Sequence, residues 1–421
     1  MGIEGNPPTA LVQVTVQADW TDVVAEVLRQ NSTGTFWISC YKRGFPSVHG
    51  SAKVSAVDER KVELTGLDGI ELEAITNNSF KIKVPEYEGV EVEVYGTGRR
   101  TAIAKVSCLD VSPEGALFVA GSEDGILRIG ETETGRMTQE LKGHLQYVNC
   151  CRFFPSGQVV LSGGGDFLLK VWSALDGSCP VTMKGHVKPI TDTAIIDRGR
   201  NVLSSSNDGT VKLWEVASGT TIRTLAQHDD RVNAIALDTW ETPLTSKFPM
   251  DTREVGTEGK LVIAASENGS LYGLDVRASE EAFQRRSYNR SPLRACAFSA
   301  RSSLIATGTT EGVVEIFDIR KTDQVLNRFQ RGSAGISSLV FSAGIDAAEQ
   351  GPHLIVGGDD SGLYETKSVK GPTIELEREY VGYDLDGPAQ ARLVAGGPGL
   401  VAISKEGGLL RFSSKLGTSS A

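Results

Sequence analysis

Hydrophobic and polar residues alternate along most of this chain, in short runs that are separated by polar turns. The pattern is clearest in four segments, which begin at Val106, Val148, Ile190 and Leu293. Each segment has an apolar run, a turn rich in Pro, Ser and Gly, a second apolar run, and then an acidic or Gly-containing hairpin. Alternation with period two predicts half-buried β-strands. The chain is therefore predicted to fold as a series of small antiparallel sheets.

Two of these segments also share polar and aromatic residues at fixed spacing. In both, a Gly-His pair comes first, an Asp follows 22 positions after the His, and a Trp follows six positions after the Asp. The two sets are Gly143-His144, Asp166 and Trp172, and Gly185-His186, Asp208 and Trp214. This spacing is typical of the WD40 repeat, in which each repeat supplies one four-stranded blade of a β-propeller.

Seven positions along the chain fit the hairpin site of such a repeat. They are Asp124, Asp166, Asp208, Asn268, Glu311, Ser361 and Glu406, separated by 42, 42, 60, 43, 50 and 45 residues. One blade of this type takes roughly 40 to 45 residues, so the two longest steps indicate insertions. The insertions fall at about 239–259, in blade four, and around 344–351. We therefore predict an all-β fold, a seven-bladed WD40 β-propeller.

About a hundred residues precede the first repeat and predict a small α+β domain in front of the propeller. Apolar residues at helical spacing from Trp20 to Leu28 predict one helix, and short β-prone runs follow it. The predicted N-terminal domain covers 1–89. The predicted propeller covers 90–417, with repeats from about 106, and 418–421 form a tail. A strand at about 90–95 is predicted to close the ring by completing the sheet of the last blade.

The shared spacing brings a Ser, a His and an Asp together in each of two blades, which invites comparison with a hydrolase. No oxyanion hole or pair of perturbed carboxylates accompanies them, so we expect no enzymatic activity. We expect instead a hydrogen-bonded relay that holds each blade together, and substitutions in it that destabilise the fold. The relay residues are His144, Ser162, Asp166 and Trp172 in one blade, and His186, Ser204, Asp208 and Trp214 in the next.

Composition narrows the classes of partner and location. The formal net charge is −10 and the pI is about 5.2, which argues against binding to nucleic acid or to an anionic membrane and favours a basic protein partner. No apolar run is long enough to span a bilayer and no secretory signal is evident, so we expect a cytoplasmic protein, with the nucleus left open. Six cysteines without a C-x-x-C pair predict core thiols, and no metal site or cofactor is expected.

Several strings outside the general WD40 pattern resemble the proteasomal ATPase-associated factor family. They are VNCCRFFPSGQVVLSGGGDFLLKVWSALDGSC in blade two, KGH and DTAIIDRGRNV after it, REVGTE in the insertion, and ADWTDV and FWISCYKRGFPSVHGS near the N-terminus. The resemblance covers most of the chain and is strongest from about 107 to 223. It implies a non-enzymatic chaperone of proteasome regulatory-particle assembly, monomeric on its own. Such a chaperone binds the C-terminal domains of proteasomal ATPase subunits and delays their docking onto the core particle.

Propeller geometry suggests where such a partner binds. The hairpin between the second and third strands and the loop before the first strand open on the same face of the disc. We expect a negatively charged rim there, with Tyr147 as an aromatic anchor and Arg231 beside the acids. The acidic candidates are Glu123, Asp229, Asp230, Glu267, Asp359 and Asp360. The alternative for each acid is that it only keeps the protein soluble.

A substrate receptor of a cullin-type ubiquitin ligase, or a general interaction scaffold, is the alternative function. Leu274-Asp275-Val276-Arg277 and Phe317-Asp318-Ile319-Arg320 end two third strands, and the second resembles the aromatic-Asp-x-Arg box with which some WD40 proteins dock onto such ligases. Asp and Arg at a strand end also stabilise blades, so the motif alone does not decide between the two functions.

Overall fold

The computed structural model describes residues 7–87, 90–96, 100–102, 105–242, 249–342, 352–359, 362–371, 373–381, 388–394, 399–404 and 408–413. Within these residues the chain forms seven blades, each built on four antiparallel strands, which follow one another around a ring. The first strand of each blade lies innermost and packs against the first strands of its neighbours. The predicted all-β, seven-bladed propeller is confirmed.

The strands of each blade are consecutive in sequence except in the last. Blade one has Val106–Val111, Leu117–Ser122, Ile126–Glu131 and Met137–Lys142. Blade two has Val148–Phe153, Val159–Gly164, Leu168–Ser173 and Val181–Lys184. Blade three has Ile190–Ile196, Asn201–Ser206, Thr210–Glu215 and Thr220–Gln227. Blade four has Val232–Thr239, Lys260–Ser266, Ser270–Asp275 and Glu281–Arg286.

Each of the remaining three blades is extended or completed by a strand from the N-terminal part of the chain. Blade five has Leu293–Ser299, Leu304–Thr309, Val313–Asp318 and Val325–Gln330, with Thr9–Ala10 added to its outer edge. Blade six has Ile336–Ser342, His353–Gly358, Gly362–Thr366 and Leu376–Tyr380. Blade seven has Pro388–Val394, Gly399–Ser404 and Gly408–Ser413, completed by Arg100–Ala102. Short 3-10 helices lie at Pro85–Tyr87, Tyr288–Arg290 and Ile319–Lys321.

Polar side chains on the innermost strands join several blades to the next. A β-bulge follows the first residue of every innermost strand, and in blades one to four the side chain at the bulge donates to a backbone carbonyl of the next blade. Asn149 donates to the carbonyl of Ile190 at 2.7 Å, and Asn233 donates to that of Leu293 at 2.8 Å. Because these bonds cross blade boundaries, they fix the angle between blades and make the disc a rigid support for its loops.

The predicted closing strand is wrong. Val90–Tyr95 runs parallel to the outer strand of blade six, with Glu93 opposite Arg378, and does not reach blade seven. The outer edge of blade six presents unpaired backbone groups that this alternating strand satisfies, and the Arg378 guanidinium Nε lies 3.1 Å from the Glu93 carboxylate. Ring closure is made instead by Arg100–Ala102, which pairs with Gly408–Ser413.

The N-terminal segment contains helix Trp20–Gln30 and a sheet of Gln13–Val16, Thr33–Tyr41, Val48–Asp58 and Lys61–Leu67. The buried ring of Trp20 lies 5.5 Å from that of Phe36 and 5.1 Å from that of Phe80, which places the apolar face of the helix on the core. Strands Glu71–Thr76 and Ser79–Val84 continue the sheet of blade six through Val90–Tyr95. Since strands on both sides of residue 89 share one sheet, the predicted boundary there does not separate two structural units.

The insertion in blade four connects Thr239 to Lys260, and its described part packs against blade three. Asn201 donates to the carbonyl of Arg253 at 3.1 Å and accepts from the N–H of Val255 at 2.6 Å. Residues 243–248 lie outside the described part. Among the described residues, no helix combines the length and hydrophobicity that a bilayer crossing requires.

Candidate partner-binding face

One face of the disc is organised by a backbone hydrogen bond that repeats from blade to blade. After the second strand, the first hairpin residue donates its N–H to the carbonyl just before the first strand of the same blade. The six described pairs are Glu123 to Lys105, Gly165 to Tyr147, Asn207 to Pro189, Glu267 to Arg231, Thr310 to Pro292 and Asp359 to Gly335, at 2.8 to 3.0 Å. We call the loop before each first strand the leading loop, and this face the upper face.

The relay of blade three connects its leading loop to its third strand. His186 Nδ1 lies 2.8 Å from Asp208 Oδ2, and His186 Nε2 lies 2.7 Å from Ser204 Oγ. Trp214 Nε1 donates to the same Ser204 oxygen at 2.8 Å. Thr210 also donates to Asp208 at 2.6 Å. The four predicted relay residues of this blade are therefore in one hydrogen-bonded chain.

Blade two repeats this arrangement. His144 Nδ1 lies 2.9 Å from Asp166 Oδ1, and His144 Nε2 lies 2.7 Å from Ser162 Oγ. Trp172 Nε1 donates to Ser162 at 2.8 Å. In both blades the Asp carboxylate also accepts the backbone N–H of the residue after the His, at 3.1 Å. The relay thus fixes the leading loop as well as the blade interior.

The electrostatics of the relay match its buried position. Burial lowers the pKa of His144, although the Asp166 carboxylate acts in the opposite direction. Burial acts to raise the pKa of Asp208, but hydrogen bonds from His186 and Thr210 outweigh it and hold this pKa well below its usual range. The hydroxyls of Ser162 and Ser204 are fully buried and already bonded to His and Trp. The arrangement fits a structural relay.

Four of the predicted acids lie exposed on the upper face. Asp229 and Asp230 are on the leading loop of blade four, and Glu123 and Glu267 begin the hairpins of blades one and four. The Glu123 carboxylate lies 3.6 Å from Lys105 Nζ, an exposed pair that contributes little. Glu267 accepts a hydrogen bond from Asn233 at 2.7 Å. The structure thus places these acids on one side of the disc, on blades one and four.

The acids of blade six differ from the prediction in register. Gly357 pairs with Leu363 as Gly163 pairs with Leu169 in blade two, so Asp359 occupies the first hairpin position, one residue earlier than the predicted hairpin site at Ser361 implies. The Asp359 side chain is partly buried in an ion pair with Arg294, which makes it a poor source of free negative charge. Asp360 and Ser361 lie outside the described residues.

Tyr147 and Arg231 also lie on the upper face. The Tyr147 ring lies over Gly165, where a Cβ atom would stand 2.7 Å from Tyr147 Cζ. Its side chain is 39% exposed, so one part of the ring is held by the hairpin and the other faces solvent. Arg231 is exposed, and its backbone carbonyl accepts from Glu267 and Ser266.

Three exposed apolar side chains on the upper face were not predicted. Leu145 and Val187 follow the two relay histidines, and Phe167 follows Asp166 in the hairpin of blade two. Their exposed fractions are 87%, 72% and 37%. An alignment of the repeats would have shown the difference, because Phe167 stands where the sequences of five other blades have Gly after the hairpin acid or amide.

The described residues include no group of three or more His, Cys, Asp or Glu side chains that is arranged to hold a metal ion. All six cysteines are free thiols, and Cys40, Cys108, Cys150 and Cys151 are buried. Burial raises the pKa of the Cys40 thiol to about 12, which keeps it protonated and unreactive.

The two Asp-x-Arg motifs are bonded within their own blades. Arg320 donates to Asp318 from Nε at 2.9 Å and from Nη2 at 2.7 Å. These bonds lower the pKa of Asp318 to about 2. Asp275 is buried and accepts from the N–H of Arg277 and from the hydroxyl of Thr242. Both motifs therefore have local partners that account for their Asp residues.

Comparison with known proteins gives consistent matches. The family described as "WD domain, G-beta repeat" matches residues 97–129, 135–173 and 177–215. Proteasomal ATPase-associated factor 1 of Gallus gallus is 40% identical over 333 residues, which cover 77% of this chain and 82% of the relative. The Homo sapiens protein of the same name is 40% identical over 331 residues, covering 77% and 82%. A probable proteasomal ATPase-associated factor 1 of Dictyostelium discoideum is 37% identical, covering 76% and 78%. At this identity and coverage, the chain belongs to the proteasomal ATPase-associated factor 1 family.

Proposed function

We propose that this protein is a non-enzymatic assembly chaperone for the base of the proteasome regulatory particle. In this proposal it binds the C-terminal domains of proteasomal ATPase subunits with its upper face. While bound, it delays their docking onto the core particle, and it leaves when the ATPase ring is complete. The observation that carries the proposal is the match, over about three quarters of the chain, to relatives that are named for their association with proteasomal ATPases.

The upper face supports this proposal by its rigidity. The repeated backbone hydrogen bonds tie hairpins to leading loops, and the relays of blades two and three fix the loops that follow His144 and His186. A surface that is already ordered loses little conformational entropy when a partner binds. Such a face is suited to holding a folded domain reversibly, and release then requires only competition between partners for one surface.

The charge of the upper face indicates which surface of the partner meets it. Glu123, Asp229, Asp230 and Glu267 are exposed there, and the chain as a whole carries a net charge of −10. Complementary charge raises the association rate and orients the encounter, whereas a few buried contacts determine how long the complex lasts. We therefore expect a partner domain with basic residues at the edge of its binding surface.

Reversal of three of these acids tests the proposal. We expect the triple variant Glu123→Lys, Asp230→Lys, Glu267→Lys to bind the ATPase C-terminal domain at least tenfold more weakly, about 1.4 kcal/mol, mainly through slower association. Surface plasmon resonance at low and high salt measures both rates, and thermal unfolding shows whether the variant is folded. The difference from wild type should shrink at high salt because exposed charges are screened.

The matched control reverses three exposed acids elsewhere. Glu114, Glu133 and Glu280 lie in loops between first and second or third and fourth strands, which open on the opposite face. Their reversal changes the net charge by the same amount. Equal binding by the upper-face variant and wild type, or an equal loss in both triple variants, would remove the upper-face acids from the proposal.

A further inference from the structure

Phe167 occupies a backbone conformation that the other described hairpins reserve for glycine. Its φ is +70°, and the equivalent Gly125, Gly209, Gly269 and Gly312 have φ between +77° and +80°. A bulky side chain in the left-handed region is a genuine outlier, because its Cβ crowds the backbone. Strain of this kind persists where the surrounding structure enforces it and is concentrated at functional sites.

The equivalent glycines show what the Phe167 side chain must avoid. A Cβ atom on Gly125 would lie 2.8 Å from the carbonyl of Gln146 and 2.9 Å from that of His144, both in the next leading loop. On Gly209 it would lie 2.0 Å from the carbonyl of His228. By the same repeat geometry, Phe167 lies beside the leading loop of blade three, and that loop has to make room for it. The phenyl ring is nevertheless 37% exposed, so burial alone does not explain its presence.

Phe167 belongs to a group of exposed apolar side chains, which we call the blade-two patch. It consists of Leu145, Tyr147, Phe167 and Val187. The N–H of Leu145 donates to Asp166, the residue before Phe167, and Tyr147 lies over Gly165 of the same hairpin. Val187 is on the leading loop of blade three, next to which Phe167 lies. Isolated exposed apolar residues are common, but a cluster on fixed loops marks an interaction surface.

Acidic residues flank the blade-two patch along the ring. Glu123 is on the hairpin of blade one, on one side, and Asp229 and Asp230 are on the leading loop of blade four, on the other. Exposed lysines also lie near the patch: Lys188 is on the same leading loop as Val187, and Lys142 and Lys184 end the strands that run into the two leading loops. Complementarity therefore calls for an occupant that is apolar at its centre and basic at both ends. A second copy of this acidic chain would place like charges against one another and does not fit.

We infer that the blade-two patch is the apolar centre of the partner site. Its occupant is an amphipathic helix of a proteasomal ATPase C-terminal domain, with apolar side chains on Leu145 and Phe167 and Lys or Arg residues reaching the flanking acids. This inference rests on the proposed function and adds to it the position and chemistry of the contact. The relay serves the contact because it holds the backbone of Leu145 and Val187 at Asp166 and Asp208.

Two variants of the patch test the inference. Phe167→Gly introduces the residue that the hairpins of blades one, three, four and five have, and Leu145→Asp changes a side chain that is 87% exposed and has little structural role. We expect each variant to bind the purified ATPase C-terminal domains at least tenfold more weakly, with a melting temperature close to that of wild type. The loss should appear as faster dissociation and should persist at high salt, unlike that of the acid reversals.

Leu175→Asp is the matched control. Leu175 is 69% exposed and lies between the third and fourth strands of blade two, on the opposite face. The Leu175→Asp variant should bind the purified ATPase C-terminal domains with an affinity within twofold of that of wild type. Wild-type affinity in both patch variants, or an equal loss of affinity in the control, would contradict the inference about the blade-two patch. Either result would not affect the proposed function. Failure of the wild-type protein to bind any proteasomal ATPase overturns both.

Discussion

At the scale of single residues, the relay requires a neutral histidine. In blade two, Asp166 accepts from His144 Nδ1–H, so Nε2 accepts the Ser162 hydroxyl proton, and the Ser162 oxygen accepts from Trp172. Every donor then meets one acceptor, an assignment that follows from the network. A second proton on the histidine would leave the serine hydroxyl without its acceptor. Since the group is buried, such a mismatch costs more than it would at the surface.

This argument predicts pKa shifts in opposite directions for two of the five histidines, His144 and His353. Burial lowers the pKa of His144 below 6.5, whereas the Glu377 carboxylate, 2.6 Å from His353 Nδ1, raises the pKa of His353 above 6.5. NMR of the imidazole groups, assigned with His144→Asn and His353→Gln, should show His353 titrating at the higher pH. The stability that His144 contributes should be lost as the pH falls below 6.5, and that of His353 as the pH rises through its raised pKa. The reverse order of titration would contradict the relay as described.

At the scale of elements, different blades use different side chains to join the leading loop to the strands. Blades two and three use the relay, whereas blades five and six use buried ion pairs. In blade five, Arg328 bonds to Glu315 at 2.7 Å and lies 4.3 Å from the ring of Tyr288. In blade six, Arg331 bonds to Glu379 at 2.6 Å and lies 4.6 Å from the ring of Tyr364. An arginine stacked on an aromatic ring thus joins leading loop and strands where the His-Ser-Trp set is missing.

The Arg331–Glu379 pair predicts a strong asymmetry between single and double variants. Burial raises the pKa of Glu379 to about 7 even though Arg331 opposes the shift. Arg331→Met leaves a buried carboxyl group without its partner and should lower the free energy of unfolding by about 3–5 kcal/mol. The double variant, Arg331→Met with Glu379→Leu, should recover most of the lost free energy of unfolding. Urea unfolding at pH 8 measures both, since the penalty grows as the pH rises through the pKa of Glu379.

Arg136→Met provides the comparison for this experiment. Its ion pair with Glu131 is 73% exposed on the Arg side, and its loss should have little effect. A double variant no more stable than Arg331→Met would show that the unpaired Glu379 carboxyl group is not the cause of the loss.

The sequence predicted elements where local pattern decides them and missed those that depend on distant parts of the chain. The His-to-Asp and Asp-to-Trp spacings located two blades and their hydrogen-bonded residues. The pattern at 90–95 correctly indicated a strand but could not show that the edge of blade six, nearly 300 residues away, is its partner. In blade six, the repeat lacks the Trp that would fix the alignment, so its hairpin was misplaced by one residue. Phe167 was overlooked because an Asp-Phe pair does not match the usual hairpin pattern.

At the scale of the whole molecule, the propeller converts local order into a single functional face. Bonds between innermost strands fix the blades, the upper-face hydrogen bonds fix the hairpins, and the relays fix two leading loops. The result is an acidic disc with an apolar patch between acidic neighbours. The N-terminal segment is built into the same body through blades five and six, which leaves the patch on blades two and three uncovered by any described residue.

The central claim is that this face holds proteasomal ATPases during assembly. The most direct measurement is an affinity purification of the tagged protein from native lysate at moderate salt, followed by mass spectrometry, with the Leu145→Asp variant processed in parallel. We expect proteasomal ATPase subunits without core-particle subunits, and their loss in the variant. A ligase adaptor without any ATPase, or finished proteasomes containing the core particle, would contradict the account.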